Sequence, residues 1–179
     1  MEARKVDDRT KTIWFIEPKY TTVEFSVGNL FFFTVKGRFP EFTGRIIFDE
    51  SDLHGSSVEV TIKAASINTG IKRRDDHLRT ADFLDVKKYP DIRFQSTKVE
   101  KGRDRDTLRV TGNLTIKGRS REVVLDVEET DHSRSPQGDE VNYYIAQTKI
   151  NRFDFGVSYG PGIIGRILKV TIQAQALKQ

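Results

Sequence analysis

Cysteine is absent from this 179-residue chain, so neither a disulfide nor a thiolate metal site can staple it. Histidine is scarce: His54, His77 and His132 are the full complement. His54 and His132 fall in predicted turn or loop sequence, which argues against a three-histidine zinc site, and no metal is expected. No apolar run approaches 18 residues, which excludes a membrane-spanning helix. Charge of one sign is also missing. Thirty Lys and Arg face 26 Asp and Glu, for a net charge of +4 and a pI near 9.3. The charges are interspersed, as in Arg73-Arg74-Asp75-Asp76, whereas a nucleic-acid binder segregates them, so no nucleic-acid partner is expected. The mild excess could still favour transient contact with a membrane surface. Met1 to Lys11 are polar and hold no apolar stretch. They are expected to form a flexible tail (1–11), with a cytoplasmic location for the chain as written and a periplasmic one for a processed form.

Aromatic residues are plentiful. Twelve Phe, five Tyr and one Trp argue for an ordered core, and the length suits one domain, expected over 12–179. The dominant pattern is alternation. Val58, Val60, Ile62 and Ala64 interleave with Glu59, Thr61 and Lys63, and the same period runs through Leu108–Ile116, Leu168–Ala176 and Val23–Val27. A period of two with one wet face is the mark of antiparallel strands. Further strands are predicted at Ile13–Glu17, Leu30–Phe39, Thr43–Phe48, Ile92–Val99, Arg121–Glu128 and Tyr143–Ile150. Turn residues separate them, among them a long polar loop from Glu129 to Glu140. Between Thr69 and Pro90, Ile71, Leu78 and Ala81 recur at helical spacing and predict one short helix near 71–82.

The fold class that follows is all-β: one antiparallel barrel of about eight strands with one inserted helix. Its apolar faces carry small residues, Ala64, Gly112, Ala174 and Ala176, and eight of the twelve Phe lie within the first 48 residues. The interior is therefore either a ligand space with an aromatic wall or a core filled by Phe rings.

Two catalytic patterns fail on context. Gly156-Val157-Ser158-Tyr159-Gly160 spells a nucleophile elbow, but no Asp, Glu or His follows Ser158. Gly160-Pro161-Gly162-Ile163-Ile164-Gly165 spells a dinucleotide fingerprint, but a strand follows it and the chain ends too soon. It reads as a glycine-rich connection before the last strand. An enzyme acting on a lipid would need a paired acid and base facing the interior, and the sequence offers none.

The stretch Ser66-Ile67-Asn68-Thr69-Gly70-Ile71-Lys72-Arg73-Arg74-Asp75-Asp76-His77-Leu78-Arg79-Thr80-Ala81-Asp82-Phe83, continuing into Tyr89-Pro90-Asp91-Ile92-Arg93-Phe94, resembles the signature of the YceI-like family of bacterial polyisoprenoid-binding proteins. Thr34-Val35-Lys36-Gly37-Arg38-Phe39, Gly112–Gly118 and Asn151-Arg152-Phe153-Asp154-Phe155-Gly156 agree with it in order and spacing, from about Trp14 to Ala176. The resemblance implies a lipocalin-like barrel around a long apolar tunnel. It also implies carriage of a long-chain lipid without catalysis or cofactor, frequent homodimers and frequent export. This chain departs from the family after Phe25-Ser26-Val27. Many members place a basic residue and a His there, and this chain has Gly28-Asn29 and then Leu30-Phe31-Phe32-Phe33. A neutral quinone, an amide or a fatty acid gains ground over a pyrophosphate head.

The tail-binding candidates chosen by alternation are Phe25, Val27, Phe31, Phe33, Val35, Phe39, Phe94, Leu114, Phe153 and Phe155, with Leu78 and Phe83 closing one end. Asn29, Arg73, Arg74, His77 and Arg79 are the head-group candidates. Asp75, His77, Asp82 and Asp154 read mainly as hydrogen-bonding groups that hold the fold. The alternative ligands are a fatty acid or fatty amide; the alternative function is a filled, non-catalytic interaction barrel.

Overall fold

The computed structural model describes residues 10–29 and 33–179. Ten strands run β1 (Lys11–Ile16), β2 (Thr22–Asn29), β3 (Thr34–Arg38), β4 (Phe42–Asp49), β5 (Ser57–Lys63), β6 (Asp91–Lys101), β7 (Thr107–Ile116), β8 (Arg119–Arg134), β9 (Glu140–Asn151) and β10 (Ile164–Lys178). One helix, α1 (Lys72–Leu78), lies between β5 and β6. Of the predicted tail, residues 1–9 lie outside the described residues, and Lys11 opens β1 instead of ending a tail.

All strand pairings are antiparallel. Eight strands close a ring in the order β1-β4-β5-β6-β7-β8-β9-β10, and β1 returns to β10 through Trp14–Lys178, Phe15–Leu177 and Ile16–Ala176. β10 is long enough to serve two partners. Its first part pairs with β2 from Ile164 to Gln173, and its last residues pair with β1. β2 in turn pairs with β3, so the β2–β3 hairpin extends one wall of the barrel beyond the closed ring. Beside β3 the wall is continued by the segment around α1, tied on by the Arg38–Asn68 bridge.

Two apolar clusters lie at opposite ends. Ala64, Phe83, Ile92, Ile116, Ile150, Phe155 and Val157 are buried at the helix end. Phe94, Val99 and Val110 are buried at the far end, backed by Leu53, Val58, Val60 and Leu125. The small residues on the inner faces have a definite use. A Cβ on Gly112 would stand 2.6 Å from Phe94 Cζ, and one on Gly37 would stand 2.3 Å from Phe25 Cζ. Aromatic rings from neighbouring strands occupy the space those side chains would take.

Two local expectations fail. The polar loop predicted at Glu129–Glu140 shrinks to 135–139, because β8 and β9 stay paired from Asp131–Tyr143 to Arg134–Glu140. The β8 half of that ribbon, residues 129–134, has no apolar face, so backbone pairing persists there without alternation, while Val141 of β9 is buried opposite it. His132 therefore sits in a strand, its ring on Asn142, and not in a loop. The helix predicted at 71–82 ends at Leu78. The Thr80 amide and hydroxyl both donate to the His77 carbonyl, at 3.0 and 2.7 Å, and this takes up a carbonyl that another helical turn would need.

Asp49 ties the end of β4 to the start of the described chain. It is 6% exposed, and its carboxylate accepts hydrogen bonds from the Ser51 hydroxyl at 2.8 Å, the Thr10 hydroxyl at 3.0 Å, and the amides of Ser51 and Asp52. The Ser51 hydroxyl does most to hold its pKa below the ordinary value, against the opposing effect of burial. A depressed carboxylate contributes stability above its unfolded pKa and loses it as pH falls through the folded value. Thermal denaturation followed below about pH 4 is expected to show this loss, and Asp49→Asn is expected to flatten that part of the profile. Gly112→Ala is expected to cost about 1–3 kcal/mol in a denaturant titration, because the new methyl meets both the Phe94 ring and the Gln95 carbonyl.

Candidate functional site

The barrel is hollow at the helix end. A cavity of about 390 Å³ opens there, walled by β2, β3, β9 and β10, by the α1 segment, and by the chain between β9 and β10. Alternation aims the wall residues inward. Val23, Phe25 and Val27 of β2 face Val35 and Phe39, and Leu168 and Val170 of β10 come from the adjoining strand. Ile62 and Ile92 are paired on β5 and β6, Ile116 ends β7, and the three line the inner part of the hollow, with Leu114 one step further in. Leu78, Phe83 and Leu84 cover the helix side.

A buried arginine organises the rim. β9 ends at Asn151, whose side-chain oxygen accepts from the Phe153 amide at 3.0 Å and turns the chain into a 3-10 turn, Arg152–Phe155. Arg152 is 4% exposed. Its guanidinium donates to the carbonyls of Val157 at 2.8 Å, Tyr159 at 2.8 Å, Gly165 at 2.8 Å and Ile164 at 3.1 Å. Four carbonyl oxygens thus meet one planar fork, and the loop from Val157 to Gly165 is pulled over the cavity. Burial first, and Arg166 second, lower the Arg152 pKa from the ordinary arginine value.

The remaining polar side chains at the cavity bond mainly to the protein itself. Arg74 donates to the Thr69 hydroxyl at 2.7 Å and to the Thr69 carbonyl at 2.8 Å, while the buried Asp75 carboxylate accepts from the Thr69 amide and hydroxyl. His77 Nε2 lies 2.8 Å from the Asp82 carboxylate. Its ring meets Phe83 and Tyr159 edge-on, each at 5.0 Å, and these three rings edge the opening. Asn29 sits where β2 leaves the wall, its side-chain oxygen accepting from the Phe33 amide at 3.0 Å. Among the described residues no group of three or more His, Asp or Glu could hold a metal ion.

Of the predicted tail-binding residues, Phe25, Val27, Val35, Phe39, Leu78, Phe83, Leu114 and Phe155 line the cavity. Phe31 lies outside the described residues. Three others are elsewhere. Phe33 is 69% exposed; it precedes β3, and its amide and carbonyl are both bonded to Asn29. Phe94 is buried in the far cluster, its ring over Gly112. Phe153 lies between two guanidiniums, 4.9 Å from Arg152 and 4.6 Å from Arg166, since the 3-10 turn breaks the strand period that would have aimed it inward. Of the head-group candidates, Asn29, Arg74 and His77 reach the cavity. Arg73 is exposed, and Arg79 is engaged with the carbonyls of Ala65 and Ile67 and with Asp76. Asp75 and Asp82 do hold the helix segment, whereas Asp154 is exposed.

Sequence reading missed Val23, Ile62, Ile92, Ile116, Leu168 and Val170 on the strands of the wall, and Arg152, Val157, Tyr159, Ile163 and Ile164 at the rim. For the last four the signal was present in the two glycine-rich patterns rejected as catalytic, whose apolar members close the rim. Replacing Arg152 with Ala should cost about 3–5 kcal/mol, because four carbonyls lose their donor together. Arg152→Lys should recover only part of it, since an ammonium cannot match a planar fork. Denaturant titration of the variants measures this.

Comparison with known proteins agrees with this architecture. The model of the YceI-like domain matches residues 14–176. A UPF0312 protein from Pseudomonas putida is 34% identical over 163 residues, covering 91% of this chain and 84% of its own. Among solved structures, BcnA of Burkholderia cenocepacia superposes with a TM-score of 0.80 at 22% identity, covering 89% of this chain and 98% of its own. A polyisoprenoid binding domain from Saccharophagus degradans gives a TM-score of 0.68 at 15% identity, covering 93% and 98%. These last two likenesses concern the fold. The family match spans nearly the whole described barrel, and the chain belongs to the YceI-like domain family.

Proposed function

We propose that this protein binds and carries a long-chain lipid, tail inward, in the cavity at the helix end of the barrel. The observation that carries the reading is an apolar hollow of about 390 Å³ inside a closed barrel, whose arginines and histidine are already hydrogen-bonded to the protein. Such a wall rewards apolar area and offers little to a strongly charged head. Each buried methylene is worth about 0.8 kcal/mol, so a long tail binds tightly without head-group recognition. The head of the lipid would rest at the rim near Asn29, Arg74 and His77. A polyisoprenoid with a neutral head, such as a quinone, fits this description best, with a fatty acid or fatty amide as the alternative class. The Saccharophagus degradans relative described as a polyisoprenoid binding domain supports the lipid class in general. Tyr159 and Ile163 are exposed at the rim, so contact with a membrane surface would let the tail pass without crossing water.

Catalysis is no part of the reading. His77, which lines the cavity, pairs with Asp82 and so joins α1 to the turn that follows it. The test is uptake by protein stripped of endogenous lipid. Cis-parinaric acid should bind saturably at one per chain and be displaced by geranylgeraniol. Ile116→Trp, which fills the inner row, should weaken binding by about tenfold or more, the equivalent of two or three lost methylenes. Absence of uptake of either probe by folded, stripped protein would overturn the proposal.

A further inference from the structure

We infer that Phe94, seated behind Leu114, is the floor of the cavity and sets the longest tail the protein accepts; the inference rests on the lipid reading above. The register fixes the layers. Ile62 and Ile92 are paired on β5 and β6, Ile116 follows the Arg93–Thr115 pair on β7, and all three line the cavity. Two residues along each strand comes the next inward row, in which Val60, Phe94 and Leu114 are paired. Of that row only Leu114 faces the hollow, and Phe94 is buried among Val99 and Val110 on the other side. Leu114 packs against both apolar clusters, so the hollow end and the filled end of the barrel meet at this row.

The ring of Phe94 can lie there because Gly112 has no side chain. A Cβ at that position would come within 2.6 Å of Cζ and 2.7 Å of Cε2. The space left by the missing side chain is therefore used to seat a plug, and the barrel interior is divided in two. A tail entering from the helix end runs along the isoleucine row and stops at Leu114 and Phe94. A smaller residue at 94 joins the two halves and lengthens the hollow. A larger residue at 114 shortens it.

The experiment is a chain-length profile. Straight-chain fatty acids from decanoate to eicosanoate compete with cis-parinaric acid on wild-type protein, Phe94→Ala, Phe94→Leu and Leu114→Phe, each checked for folding by thermal denaturation. In the wild type, affinity should rise about fourfold per added methylene and then level off once the tail meets the floor. Phe94→Ala should move the levelling point to chains longer by about two or more methylenes, the length opened by loss of the ring. Phe94→Leu should give a smaller shift in the same direction, and Leu114→Phe should move the point to shorter chains. If Phe94→Ala fails to fold, the opposite shifts of the other two variants still decide the matter. Folded variants whose levelling points coincide with the wild type would overturn Phe94 as the floor while leaving lipid binding intact. A wild-type protein that binds no member of the series would sink the lipid reading and this inference together.

Discussion

A guanidinium shut into the barrel rim is the interaction on which the cavity depends. Arg152 projects from the end of β9 and gathers the carbonyls of Val157, Tyr159, Ile164 and Gly165 onto one plane. Two of those carbonyls belong to the loop before β10 and two to the first residues of β10, where they could otherwise be satisfied by water. Because they are held inward, the apolar side chains of the same loop form the roof of the hollow. A lysine could not span four acceptors, and an apolar residue would leave them unpaired in a dry site. Among the described residues no carboxylate forms an ion pair with Arg152, so its desolvation is offset by backbone dipoles and by the Phe153 ring 4.9 Å away.

The other determinant is how the barrel spends its volume. Eight antiparallel strands leave an interior that is either packed or able to hold a small ligand, and this chain does both at opposite ends. At the far end, Phe94 over Gly112, with Val99 and Val110, fills the space. At the helix end, Phe25 lies over Gly37 and keeps to the wall, and the middle stays open. Glycine thus works in two ways here. In one place it seats a plug, and in the other it lets a ring lie flat against the sheet beside a hollow.

The strand framework was legible in the sequence wherever one face is buried and the other is wet. β2, β5, β7 and β10 carry that alternation plainly. The β8 half of the extended β8–β9 ribbon does not, since residues 129–134 are polar on both faces and backbone pairing leaves no trace in composition. For the site, alternation identified Phe25, Val27, Val35 and Phe39 because the strand period continues through them. It misplaced Phe33, which lies just outside β3, and Phe153, which lies within a 3-10 turn where that period stops. Phe94 has the right face but lies one layer too deep, and layer depth is set by cross-strand register that a single sequence does not display. Arg152 escaped notice as a wall residue because its role lies in which carbonyls it meets. The family resemblance was carried mainly by the helix segment, where Thr69 bonds to Asp75 and His77 to Asp82, two local pairs readable as a motif.

The account stands on the claim that the hollow at the helix end is a lipid site. Its most direct test is organic extraction of the purified protein followed by mass spectrometry, beside an Ile116→Trp control in which the hollow is filled. One long-chain lipid per chain, carrying a neutral or weakly polar head and depleted from the control, is the predicted result. Protein that yields no lipid, or the same trace of lipid from wild type and filled variant alike, would contradict it.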